Sequence, residues 1–86
     1  MKLKDSFMTQ EVDGIQFLVP VGQEYFSGIV RSNPTAAFIV DRLKQDTSEE
    51  AIVEAMSREY DAPRERIAAD VAEILGILRR IRALEE

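Results

Sequence analysis

The chain offers carboxylates, lysines, arginines and two tyrosines, but neither histidine nor cysteine. Without an imidazole it lacks the commonest general base and metal ligand, and without a thiol it can form neither a disulfide nor a thiolate nucleophile. The carboxylates Glu49, Glu50, Glu54, Glu59, Glu65, Asp70 and Glu73 fall where helices face water, support caps or form i,i+4 pairs. Tyr25 and Tyr60 fit packing positions with a wetted hydroxyl. No Gly-rich phosphate loop and no pair of metal-spaced ligands occurs. The expectation is a binding or structural protein rather than an enzyme, with no catalytic residue, no metal and no cofactor.

Charge narrows the partners. Sixteen acids against eleven bases give a formal charge of −5, the wrong sign for a protein whose main task is to neutralise phosphates. A stretch that reads as a second helix carries Glu49, Glu50, Glu54 and Glu59 against Arg58 alone, so a nucleic-acid backbone would be repelled there. Arg64, Arg66, Arg79, Arg80 and Arg82 lie further on, and the last three suit the negative end of a helix dipole or an acidic partner. No apolar run approaches the ~20 residues that span a bilayer, and the start lacks the apolar segment of a signal peptide. The expectation is a cytoplasmic protein, without membrane or nucleic-acid partners. Its 86 residues make one domain, 1–86, with a modest core.

The elements that must position these groups are marked by turns. Asp13-Gly14 accepts the positive φ angles of a two-residue type I′ turn, which pairs Val12 with Ile15, Gln10 with Phe17 and Met8 with Val19. That register puts Met8, Val12, Ile15, Phe17 and Val19 on one face, expected as core, and Thr9, Glu11, Gln16 and Leu18 on a wet face. Residues 22–26 read as a loop. Residues 27–32 are short, β-branched and bounded by turn residues, as a third strand at a sheet edge should be. Asn33-Pro34 then starts a helix, the asparagine capping and the proline wasting no donor, with Ala36, Ile39, Val40 and Leu43 inward.

Thr47-Ser48-Glu49-Glu50 fits a capping box with Thr47 as cap, followed by Ile52, Val53, Met56 and Tyr60 as a buried stripe. After Asp61-Ala62-Pro63 nothing stops a third helix until about Leu84. Its expected core stripe is Ile67, Val71, Ile74, Leu78 and Ile81. Ala68, Ala72 and Leu75 on one flank, with Ile77 and Leu84 on the other, give it more apolar surface than one contact requires. The fold class is therefore α+β, a three-stranded antiparallel sheet followed by three helices in the order β-β-β-α-α-α, like a winged helix-turn-helix. An exposed strand edge offers unpaired N–H and C=O groups to an extended peptide, and a broad apolar helix offers its side chains a wall.

The string Ser32-Asn33-Pro34-Thr35-Ala36-Ala37-Phe38-Ile39-Val40, then Thr47-Ser48-Glu49-Glu50-Ala51-Ile52, Tyr60-Asp61-Ala62-Pro63 and Asp70-Val71, resembles the PqqD family over nearly the whole chain. That family includes the peptide chaperone of pyrroloquinoline quinone biosynthesis and recognition elements for ribosomally synthesised, post-translationally modified peptides. The resemblance implies capture of a precursor's leader segment as an added strand, and its presentation to a separate modifying enzyme, often of the radical S-adenosylmethionine type. Carried onto this chain, the strand matches Gly28, Ile29, Val30, Arg31 and Ser32. The helix wall matches 68–79, with Ala68, Val71, Ala72, Leu75 and Arg79 as the expected peptide-binding residues. Arg31 and Arg79 would then favour an acidic leader.

Two departures from the family's pattern stand out, the ending Arg80-Ile81-Arg82-Ala83-Leu84 and a serine, Ser32, before the helix-starting asparagine. The alternative function is a winged-helix DNA-binding regulator. A monomer or weak dimer is expected, the same edge being able to serve oligomerisation.

Overall fold

Asp13 and Gly14 both adopt positive φ, 54° and 79°, and reverse the chain between β2 (Phe7–Val12) and β3 (Ile15–Pro20). The register is the one that the two-residue turn dictates, Val12 opposite Ile15, Gln10 opposite Phe17 and Met8 opposite Val19. The computed structural model describes residues 1–21 and 30–86, so the loop expected at 22–26, and with it Gly28 and Ile29, lies outside the described residues. On the far side of β3 runs β4 (Val30–Ser32), antiparallel, with Leu18 opposite Val30 and Gln16 opposite Ser32. The sheet order is β2-β3-β4, which leaves β4 terminal among the described residues.

Three helices follow, α1 (Pro34–Arg42), α2 (Glu49–Glu59) and α3 (Arg64–Arg80). Asn33 caps α1, its side-chain oxygen accepting from the Ala36 N–H at 2.8 Å, with Pro34 in the first turn where no donor is lost. The cap of α2 is Ser48, whose hydroxyl accepts from the Ala51 N–H at 3.1 Å, not Thr47. Thr47 instead donates its backbone N–H to the Met1 carbonyl, which holds it one residue short of the helix.

Two strands were not anticipated. β1 (Lys2–Leu3) pairs antiparallel with β5 (Leu84–Glu85) as a separate two-stranded sheet. The third helix therefore stops at Arg80, four residues before the expected Leu84. Arg82 takes a left-handed φ of 60°, and the Ala83 N–H donates to the Leu78 carbonyl while Arg82 donates to Arg79. This six-to-one and five-to-two pairing is a Schellman stop, built here without the usual glycine. It turns the chain back so that Ala83 and Leu84 enter the core.

The core joins Phe7 and Leu18 from the sheet to Ile39, Val40 and Leu43 of the α1 region, Ile52, Val53 and Met56 of α2, and Ile67, Val71, Leu75 and Leu78 of α3. Burial of such side chains stabilises by roughly 1.5–3 kcal/mol each. The hairpin presents to it the face opposite to the one expected. Leu18 and Phe7 are buried, while Met8 and Val12 are about half exposed at 53% and 48%, and Ile15, Phe17 and Val19 are half-buried. Counting apolar residues selects the greasier face of a hairpin, but the helices cover the face onto which the chain turns after β4. Tyr60 is likewise at the surface, its ring edge-on to Phe38 at 5.6 Å, with the Arg42 guanidinium 4.9 Å from the Phe38 centroid.

Candidate functional site

An α-helix surrounded on one side by a core has two flanks, and on α3 they differ. Ile67, Val71, Leu75 and Leu78 recur at three- and four-residue spacing and are almost fully buried, so they define its inward face. Next to them on one side lie Ala68, Ala72 and Arg79. This flank belongs to α2. Arg64, in the first turn of α3, reaches Glu54 of α2 at 2.9 Å, and Arg79 feels the charge of Glu49 at the start of α2. Arg79 is further occupied by a two-pronged contact with Glu86, both N···O distances 3.0 Å. That hydrogen-bonded guanidinium holds the Glu86 carboxyl below its ordinary range.

On the other side lie Asp70, Glu73, Ile74 and Ile77, spaced i, i+3, i+4 and i+7 as one surface stripe. Ile74 packs partly on the core, and Ile77 is exposed at 37%. Asp70, Glu73 and Ile74 face Asn33 and Thr35 across a slot of about 140 Å³. Asn33 directly follows the last residue of β4, so the slot opens at the end of the terminal strand. Neither Asp70 nor Glu73 forms an ion pair among the described residues. A second, larger cleft of about 590 Å³ lies on the other side of the first turn of α1, beneath the hairpin tip. It is lined by Glu11, Gln16, Ala37 and Asp41 among others, and within it the Gln16 amide donates to Asp41 at 3.3 Å.

The expected site residues separate accordingly. Val30, Arg31 and Ser32 form the terminal strand, as expected of an edge. Val71 and Leu75 are wholly enclosed, so they are core residues and present no surface to a ligand. Ala68 packs against the core, and Ala72 and Arg79 are exposed on the flank turned toward α2, away from the slot. Arg79 is engaged by Glu86. Asp70, Glu73 and Ile74, which line the slot, and the exposed Ile77 beside them were not among the expected site residues. The sequence signal that pointed to this flank was Ile77, an isoleucine that falls outside the expected core stripe.

The sheet and the three helices define an α+β domain of winged helix-turn-helix type, with a slot between the start of α1, just after the terminal strand, and its longest helix. The chain belongs to the PqqD family, the model for coenzyme PQQ synthesis protein D matching residues 17–84. Two solved structures share the fold. One, described as TbiB1 in complex with the TbiA(beta) leader peptide, has a TM-score of 0.84 at 22% identity and covers 99% of this chain and 95% of its own. The other, lasso peptide synthetase B1 complexed with the leader peptide, has a TM-score of 0.75 at 23% identity and covers 91% and 88%. No curated protein matches the chain.

Proposed function

We propose that this domain is a recognition element that captures the leader segment of a ribosomally made precursor peptide by strand addition and presents it to a separate modifying enzyme. The observation that carries this is the terminal strand β4, whose end leads through Asn33 into a slot that Asn33 and Thr35 form with Asp70, Glu73 and Ile74 of α3. Main-chain groups along an open edge supply hydrogen bonds that any extended peptide can satisfy, and the helix stripe supplies side-chain selection. Membership of the PqqD family supports the reading, as do two proteins of the same fold whose structures hold leader peptides. The modifying enzyme is of the radical S-adenosylmethionine type if this chain follows the most familiar members of the family. Peptide capture itself needs no catalytic group and no cofactor.

The test uses the alternation of a strand. Val30 and Arg31 are consecutive, so one N–H points to β3 and the other outward. Proline at the outward position removes a donor from the edge without touching the β3 ladder, whereas proline at the inward position breaks that ladder. Of Val30→Pro and Arg31→Pro, the variant that keeps its circular dichroism and melting temperature should lose peptide binding. Unchanged affinity in that folded variant removes the strand from the site.

A further inference from the structure

The slot beside β4 has an unusual lining for a chain-binding groove, with one aliphatic side chain, two carboxylates, and the polar Asn33 and Thr35. We infer that the peptide this seam selects carries a lysine or arginine at the position seated against Asp70 and Glu73, next to an apolar residue seated against Ile74 and Ile77. This inference rests on the leader-capture reading and adds the side-chain chemistry that the captured segment must have. It reverses the acidic leader expected from Arg31 and Arg79, because Arg79 lies on the other flank and is engaged by Glu86.

Geometry supports the pairing. Side chains two apart on a strand point the same way, about 6.6 Å from one another, and residues four apart on a helix are about 6 Å apart along its axis. Two successive same-face residues of an added strand therefore match the steps from Asp70 to Ile74 and from Glu73 to Ile77. The charges support it too. Asp70 and Glu73 are exposed and make no ion pair among the described residues, so both are available to a cation that enters the slot. The positive groups nearest in sequence on that side of the helix are Arg66, one turn before Asp70, and Arg80, two turns beyond Glu73. Neither lines the slot or pairs with either carboxylate. An unpaired cation brought in by a strand would meet both carboxylates at a site partly shielded by the peptide backbone, where charge chiefly sets specificity.

A displayed library of random 16-residue peptides, selected separately on the native chain and on the Asp70→Lys, Glu73→Lys double variant, tests this directly. Both positions are exposed, and Asp70→Asn with Glu73→Gln serves as a milder second variant should the double charge reversal lower the melting temperature. The native chain should enrich peptides with Lys or Arg two positions from an apolar residue, and the reversed variant peptides with Asp or Glu at that position. Exchanging the basic residue of a selected peptide for Glu should weaken binding about threefold to tenfold at low salt and less at high salt. The neutral variant should lose the preference without reversing it.

Peptides that bind the native chain, fail to bind the folded proline variant of β4, and show no basic preference overturn this inference and leave leader capture standing. Failure to select any peptide, or selection of peptides indifferent to the proline variant, overturns both.

Discussion

The two flanks of α3 carry different side chains, two alanines on one and two isoleucines on the other, and have opposite fates. The flank holding Ala68, Ala72 and Arg79 is bordered by α2, tied across by Arg64 to Glu54 and at its end by Arg79 to Glu86. The flank holding Asp70, Glu73, Ile74 and Ile77 meets only the first turn of α1 across the slot, holds two carboxylates that form no ion pair among the described residues, and adjoins the end of β4. The difference teaches that hydrophobic periodicity locates the inward stripe of a helix but does not tell which margin of that stripe is covered. That depends on where the next elements land, and here the chain entering α3 from α2 brings α2 to one margin only.

The largest expected effect belongs to the inward face that both flanks border. Leu75 has no exposed surface, so Leu75→Ala should destabilise the domain by about 2–5 kcal/mol through lost transfer energy and the cavity left behind. Chemical denaturation checks this. A loss below about 1 kcal/mol would mean that the side chain is not in the core, and the two flanks would have to be exchanged.

On the open side the balance should invert. Ile77 is exposed at 37% in the free protein, so Ile77→Ser should change stability little. It should weaken peptide binding by roughly 1–3 kcal/mol if the side chain is covered in the complex. Calorimetric titration beside a melting curve separates the two quantities. Ala72→Ser, on the α2 side, is the matched control and should leave affinity unaltered.

The smallest effect tests the back of the same helix. Gly76 belongs to neither flank, and a Cβ built there meets no atom within 4 Å. Gly76→Ala should therefore stabilise by about 0.5–1 kcal/mol, the helical propensity difference, and leave binding as it was. A lower melting temperature, or a loss of affinity, would show that something approaches this surface and that the comparison has a third side.

How much of this was legible in the sequence depended on whether a signal was local. The Asp13-Gly14 turn and the Asn33-Pro34 helix start are chemical statements about a few bonds, and both are present as expected. The hairpin register followed from its turn, but its inward face did not. Met8, Val12, Ile15, Phe17 and Val19 outnumber Phe7 and Leu18 in apolar residues, yet the helices pack on the latter pair. Thr47 and Ser48 are adjacent hydroxyls with equal capping chemistry, and a long-range hydrogen bond from Thr47 to Met1 distinguishes them. β1 and β5 are too short for any alternation to show. Val30, Arg31 and Ser32 form the terminal strand among the described residues, which fits the expected edge position. Its helix half was expected on Val71, Leu75 and their neighbours because burial beside α2 is a tertiary fact.

The central claim is that a captured peptide lies between β4 and the Asp70, Glu73, Ile74 and Ile77 stripe. Amide chemical-shift mapping of the isotope-labelled domain, titrated with a peptide selected as above, tests it most directly. The account predicts the largest shifts at 30–33 and at residues 70, 73, 74 and 77, with Ala68, Ala72 and Arg79 little moved. Shifts concentrated on Ala72 and Arg79 with a silent β4 would contradict it.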